Sequence, residues 1–147
     1  MAQILIKKLT PEMLADVAEL ERECFAEPWS EKSLELLTAQ RGVGFGAVCP
    51  DGRVVAYGGM LTVLDEGQIT NVATSALFRR HGLAREIMAA LEGYARENAI
   101  SVLTLEVRAS NEAARALYSS LGWSVTGTRK NFYRLPREDA ILMEKKL

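Results

Sequence analysis

Apolar residues recur along this chain with two periods, and the changes of period mark its elements. Ile4, Ile6 and Lys8 alternate with their neighbours and predict a first strand. Thr10-Pro11-Glu12-Met13 opens a helix: Thr10 can cap and Pro11 suits the first helical position, although Met13 stands where a capping box has Glu or Gln. Leu14, Val17, Ala18 and Leu20 then recur at helical spacing and carry the helix to Phe25. Glu27-Pro28-Trp29-Ser30 breaks it. Ser30, with Ser33 three residues on, caps a short second helix with Leu34, Leu36 and Leu37 as its apolar face. Gly42 to Val48 and Val54 to Val63 read as strands joined at Cys49-Pro50-Asp51-Gly52, where Asp-Gly supplies the left-handed positions of a tight hairpin. Gly67 to Thr74 is the next strand. Leu83, Ile87, Leu91, Tyr94 and Ala95 predict a long helix.

In the last third, Val102 to Val107 alternates strictly, with Val102, Thr104 and Glu106 on one face and Leu103, Leu105 and Val107 on the other. Ser110 is placed to cap a helix with the stripe Ala113, Leu117 and Leu121, ended by Gly122. Trp123 to Arg129 and Ala140 to Lys145 predict two final strands that pair around Pro136. The order is β-α-α-β-β-β-α-β-α-β-β, without repeat or linker. It predicts one α/β domain over 1–147, a single mixed sheet with helices on both faces.

Composition narrows the class of function. Eighteen Lys and Arg against 19 Asp and Glu give a net charge of −1, with no cationic excess for coating nucleic acid or attaching to anionic membranes. Arg129, Lys130, Arg134 and Arg137 form a basic stretch, too few to change that expectation. The chain opens without a signal-peptide pattern, and no apolar run is long enough to span a bilayer. Cys24 and Cys49 with one histidine make neither a disulfide framework nor a zinc site, so both are expected as buried thiols in a reducing cytoplasm, with no metal.

Two segments carry candidate chemistry. Arg79-Arg80-His81-Gly82-Leu83-Ala84 joins a strand to a helix. Gly82 and Ala84 allow close backbone approach, and the helix start offers unpaired N–H groups beside two arginines, a setting for phosphate or for a plain turn with solvated arginines. Leu105 to Tyr118 is the second. Glu106 lies near the carboxyl end of an apolar strand, where open α/β sheets bind ligands; it is either a functional carboxylate or an edge residue paired to Arg. Tyr118 falls one position off the helix stripe and reads as core with a wet hydroxyl or as a proton donor.

Arg79-x-x-Gly82-x-Ala84 is similar to the pyrophosphate signature of the GCN5-related N-acetyltransferases, (Gln/Arg)-x-x-Gly-x-(Gly/Ala). Leu105 to Tyr118, Leu121-Gly122-Trp123, Arg137-Glu138-Asp139-Ala140, Pro28-Trp29-Ser30 and Arg129-x-x-Phe132-Tyr133 resemble, within that superfamily, the bacterial ribosomal-protein-alanine N-acetyltransferases, from about residue 28 to 144. The resemblance implies a single-domain acetyltransferase fold and acetyl-CoA as cosubstrate. It implies that Val72, Ala73 and Thr74 lie along the pantetheine arm and the acetyl carbonyl. Arg79, Arg80, His81, Gly82, Leu83, Ala84 and Arg85 are implied at the pyrophosphate, and Asn111 on CoA. It implies Glu106 as general base and Tyr118 as general acid, with Trp29 and Tyr133 on the side of the peptide acceptor.

Two positions depart from the pattern. His81 stands where Gln or Arg is usual, and Phe132 replaces the first residue of a Tyr-Tyr pair, removing a hydroxyl from the peptide side. The implied acceptor is the N-terminal alanine of a small-subunit ribosomal protein. The rival readings are an acetyltransferase for protein lysines or a small amine, and a non-catalytic CoA-binding module. From Pro11 to Glu27 the chain carries Glu12, Asp16, Glu19, Glu21, Glu23 and Glu27 against one Arg22; these read as a solvated helix face or as part of a groove for a basic peptide.

Overall fold

The computed structural model describes residues 3–147. Seven strands form one sheet: β1 (Leu5–Lys8), β2 (Gly42–Val48), β3 (Val54–Val63), β4 (Glu66–Thr74), β5 (Val102–Arg108), β6 (Ser124–Arg134) and β7 (Arg137–Lys146), in the order β1-β2-β3-β4-β5-β7-β6. Every neighbouring pair is antiparallel except β4 and β5. The helices are α1 (Leu14–Cys24), α2 (Glu31–Leu34), α3 (Leu83–Glu97) and α4 (Glu112–Ser120). The expected order of elements is the observed one. No described helix is long and apolar enough to cross a membrane.

Strand alternation divides the core between the two faces. Leu103, Leu105 and Val107 of β5 pack with Ile87, Leu91 and Ala95 of α3 and with Tyr118 of α4. On the other face, Leu14, Val17 and Ala18 of α1 join Leu34 and Leu37 against Tyr57 of β3 and Ala73 of β4. Gly58 shows how closely α3 approaches: a Cβ there would stand 2.6 Å from Ile87 Cγ2.

Local chemistry moved several boundaries. Thr10 makes no side-chain cap; the chain enters α1 through a 3-10 turn at Pro11–Met13, with Met13 N–H donating to the Thr10 carbonyl at 3.0 Å. The helix ends at Cys24, one residue before the expected Phe25, which is already extended. Ser30 does cap α2, accepting the Ser33 N–H at 3.1 Å. Ser110 does not cap α4: Asn111 does, its Oδ1 accepting the Ala114 N–H at 3.2 Å, while the Ser110 N–H donates to Glu138. The buried residue of α4 is Tyr118 rather than the stripe through Ala113, because the face turned to the sheet includes Ala114, Leu117 and Tyr118. The two cysteines are free and half-buried, less enclosed than expected.

The architecture's distinctive feature lies between β4 and β5. Their parallel pairing covers Glu66 to Ile69 against Val102 to Leu105 and stops there. Beyond it β4 continues on β3 as far as Thr74, and β5 continues on β7 as far as Arg108. The register between β3 and β4 also shifts at this point, passing from Met60↔Ile69 to Gly59↔Asn71, so that Thr70 is an extra residue. The strands therefore part, and the edge of β4 facing β5 has no strand partner from Thr70 onward.

Close packing of α3 on β3 has a direct test in urea unfolding. Gly58→Ala is expected to cost about 1–3 kcal/mol by overpacking against Ile87. Combining it with Ile87→Ala should show a coupling above about 0.5 kcal/mol in a double-mutant cycle. Strict additivity would contradict the contact.

Candidate active site

The turn from β4 into α3 leaves the start of the helix open. Arg80 and Gly82 both have left-handed backbone, with φ of 66° and 77°. Gly82 precedes the first residue of α3, no side chain caps that end, and a Cβ on Gly82 would meet nothing within 4 Å. The N–H groups of the first turn thus face open space with the positive end of the helix dipole behind them. Arg79, Arg80, His81 and Arg85 are all exposed around it. Arg79 is tied down, its Nε donating to the Thr74 carbonyl at 3.1 Å, which fastens the turn to the end of β4. Arg85 reaches across to α4 and donates to Ser120 Oγ at 3.1 Å.

Val72, Ala73 and Thr74 lie on the unpartnered edge of β4 just before this turn. Asn111 sits at the start of α4 with its Oδ1 already committed to the cap, leaving only its amide nitrogen for a ligand. Thiol Cys24 donates to the Thr74 carbonyl at 3.4 Å, and burial pushes it above its ordinary range, so it is a poor nucleophile.

Glu106 projects from the opposite face of β5 to Leu105 and Val107, into a cavity of about 430 Å³ that it shares with Leu61, Gln68, Arg129 and Leu142. Tyr118 is 6% exposed, with Trp123 tilted against its ring at 6.0 Å between centroids. Burial pushes its phenol up to about 12, and Tyr133 adds to the rise. The Tyr133 phenol is in turn raised by burial and by the Glu106 carboxylate, and lowered by Arg108. Tyr133 is thus within electrostatic reach of both Glu106 and Tyr118.

The β6–β7 hairpin is held over this region by Arg108, Glu138 and Glu27, to which the sequence reading assigned no such role. Arg108 lies over the Tyr133 ring at 4.2 Å and donates to the carbonyls of Leu135 and Pro136 at 2.9 Å each. It also pairs with Glu138 at 3.2 Å, and Glu138 accepts the Ser110 N–H at 2.6 Å. These hydrogen bonds hold the Glu138 carboxyl below its usual range. Across the groove, Glu27 accepts from the backbone N–H groups of Arg134 and Leu135 at 3.3 and 3.0 Å, joining the α1–α2 loop to the hairpin. Phe132 is exposed, packs edge-on to Tyr133 at 5.1 Å and lies 5.7 Å from the Arg129 guanidinium.

The acidic stretch of α1 is neither simply solvated nor simply a groove wall. Asp16 accepts from Val54 N–H at 3.2 Å, Glu23 from Ala76 N–H at 2.8 Å, and Glu27 from the hairpin. Glu21 is buried, 1% exposed, and accepts from Trp29 N–H, Tyr57 and Asn71. One signal was available beforehand: Glu21 continues the Leu14, Val17, Ala18 stripe at helical spacing, a carboxylate where an apolar residue belongs. Trp29 is half-buried against the same cluster as α1 and α2.

The sheet thus parts between β4 and β5 beside an uncapped helix start. The acetyltransferase (GNAT) family model matches residues 14–123, and the chain belongs to that family. It is 37% identical over 126 residues to the [ribosomal protein bS18]-alanine N-acetyltransferase of Escherichia coli strain K12, covering 84% of both chains. It is 33% identical over 128 residues to the Haemophilus ducreyi protein of that name, covering 85% of this chain and 88% of the other. The crystal structure of the Escherichia coli ribosomal-protein-S18-alanine N-acetyltransferase superposes with a TM-score of 0.90 at 34% identity, covering 98% of this chain and 94% of that one. Arabidopsis thaliana NAA60, in complex with a bisubstrate analogue, reaches the same TM-score at 16% identity, a likeness of fold, with 99% of each chain covered.

The raised Tyr118 phenol gives a sign that can be checked. An acid whose folded value lies above its ordinary one keeps its proton through neutral and mildly alkaline pH. Ultraviolet titration of wild type minus Tyr118→Phe should therefore show no tyrosinate from Tyr118 below about pH 11 while the fold persists. A Tyr118 signal centred near pH 9 to 10 would contradict its burial.

Proposed function

We propose that Glu106 and Tyr118 assist a direct transfer of acetyl from acetyl-CoA to an α-amine, at the point where β4 and β5 part. The protein is a protein N-α-acetyltransferase whose acceptor is the N-terminal alanine of ribosomal protein bS18, as the names of its relatives have it. The observation that supports the residue assignment is the Glu106 carboxylate in the 430 Å³ cavity, one residue beyond the last β4–β5 pair. Both cysteines being free accords with a reducing cytoplasm.

The chain fits acetyl-CoA on its own geometry. The open Gly82 turn, with Arg79, Arg80, His81, Leu83, Ala84 and Arg85, would hold the pyrophosphate, and the free edge at Val72, Ala73 and Thr74 would pair with the amide-rich pantetheine arm. Asn111 would add a contact through its amide nitrogen. When bound, the thioester supplies an activated carbonyl to the acceptor.

The residues then divide the proton work. An amine attacks only when unprotonated, which at pH 7 costs roughly 1 kcal/mol for an α-amino group and roughly 4.6 kcal/mol for lysine. Glu106 receives that proton, directly or through water, and meets the smaller demand at an N-terminus. A backbone N–H at Val72 would steady the negative charge developing on the carbonyl oxygen. Burial raises the Tyr118 phenol and keeps it protonated at neutral pH, so it has a proton to offer the departing sulfur as charge collects there. Trp29 and Tyr133 stand on the acceptor side.

Incubating the protein and acetyl-CoA with a peptide of the bS18 N-terminus should place one acetyl group on the alanine α-amine, read by fragment mass spectrometry. Acetylation only at an internal lysine would overturn the acceptor. Glu106→Gln should lower kcat/KM at neutral pH by about 10²-fold or more while acetyl-CoA still binds. Wild-type turnover in that variant would remove the base. Tyr118→Phe should slow single-turnover transfer by about tenfold or more, and an unchanged rate would remove its role.

A further inference from the structure

Buried beneath the site is a carboxylate that the reaction does not use. Glu21 is 1% exposed, and a charge in that position carries a steep desolvation cost unless every lone pair finds a donor. It finds donors from three separate elements. Oε1 accepts the Trp29 N–H at 2.8 Å from the loop leading into α2. Oε2 accepts the Tyr57 hydroxyl at 2.5 Å from β3 and the Asn71 amide at 3.2 Å from β4. An apolar residue of the same volume would fill the space without the desolvation cost, so stability alone gives no reason for the carboxylate. What it joins does give one.

Trp29 belongs to the Pro28-Trp29-Ser30 turn, one wall of the acceptor side. Asn71 is the residue at which β4 resumes its register on β3 after the extra Thr70, and it immediately precedes Val72 on the free edge. One oxygen thus fixes the acceptor wall, and the other ties it to the start of the acyl-side edge, which its pairing with β3 already holds in place. We infer that Glu21 is a positioning residue that holds the acceptor-side turn in register with the acyl-side strand through its hydrogen bonds to Trp29 and Asn71. This inference rests on the acetyl-transfer reading above.

Hydrogen bonding, more than charge, is the device, and the unpartnered Asn71 Oδ1 makes that separable. In Glu21→Gln, Oε1 still accepts from Trp29. The new amide can donate to Asn71 Oδ1, once the Asn71 side chain turns over, and to the Tyr57 oxygen. In Glu21→Met all three donors lose their acceptor.

The test compares these two variants on the bS18 N-terminal peptide and follows the Trp29 amide by NMR hydrogen exchange. Glu21→Met is expected to raise the peptide KM by about tenfold and to speed Trp29 exchange, with the acetyl-CoA KM within about twofold of wild type. Glu21→Gln should restore the peptide KM to within about threefold of wild type and keep Trp29 protected. An unchanged peptide KM in Glu21→Met, a rise in both KM values together, or Glu21→Gln as impaired as Glu21→Met would overturn the assignment. If Glu21→Met does not fold, the wild type still decides. Its Trp29 amide should exchange as slowly as sheet amides, and exchange at the rate of exposed loop amides would overturn the inference. Absence of peptide turnover in wild type is a separate result, which overturns the acetyl-transfer reading while the exchange data still report on the tether.

Discussion

The proposed chemistry depends on β4 and β5 ceasing to pair after Ile69 and Leu105. A parallel ladder that ran on would satisfy its own backbone groups and leave none for a ligand. Here each strand stays rigid because its other edge remains paired, β4 on β3 and β5 on β7, so the gap is held open by structure on both sides. Unpartnered backbone groups are costly when dry. They are tolerated where solvent or a substrate rich in amides reaches them, and the open turn at Gly82 supplies the charged end of such a site.

The gap also joins two faces. Leu103, Leu105 and Val107 point toward α3 and α4, whereas Glu106 points to the cavity on the face that carries α1 and α2. Two substrates can therefore approach the parting from opposite sides without competing for the same surface. The proposed acceptor side is assembled from distant segments. Arg108 and Glu138 hold the hairpin to the end of β5, Glu27 joins that hairpin to the α1–α2 loop, and Glu21 anchors the loop beneath. Most of these contacts are carboxylates or guanidinium groups accepting from or donating to main chain, which fixes loops that have little apolar surface of their own.

Elements governed by local rules were legible in the sequence. The alternation of β5, the Asp51-Gly52 hairpin, the Ser30 cap and the Leu83-Ile87-Leu91-Ala95 stripe of α3 all lie where spacing places them. The turn at Gly82 was legible as a place of close backbone approach, and the left-handed backbone found there suits the residue type. What was not legible depends on separation along the chain. Asn111 rather than Ser110 caps α4 because Glu138 takes the Ser110 N–H. Tyr118 belongs to the stripe Ala114, Leu117, Tyr118 and Leu121 at helical spacing, and its packing with Trp123 and the sheet makes this, rather than the Ala113 side, the buried face. The acidic run of α1 was read by its charge, but the acceptors of Asp16, Glu21, Glu23 and Glu27 serve backbone and side-chain donors from five other places in the fold. Only Glu21 carried a signal of its own, its place on an apolar stripe, which the solvated-face and groove readings of the run passed over.

The central claim is that both substrates meet at the parted strands and that acetyl passes directly between them, with no residue of the chain acylated on the way. Initial-rate kinetics with acetyl-CoA and the alanyl peptide varied together tests this most directly. The account predicts double-reciprocal lines that intersect, the pattern of a ternary complex. Parallel lines, together with an acetylated form of the protein isolated in the absence of peptide, would contradict it.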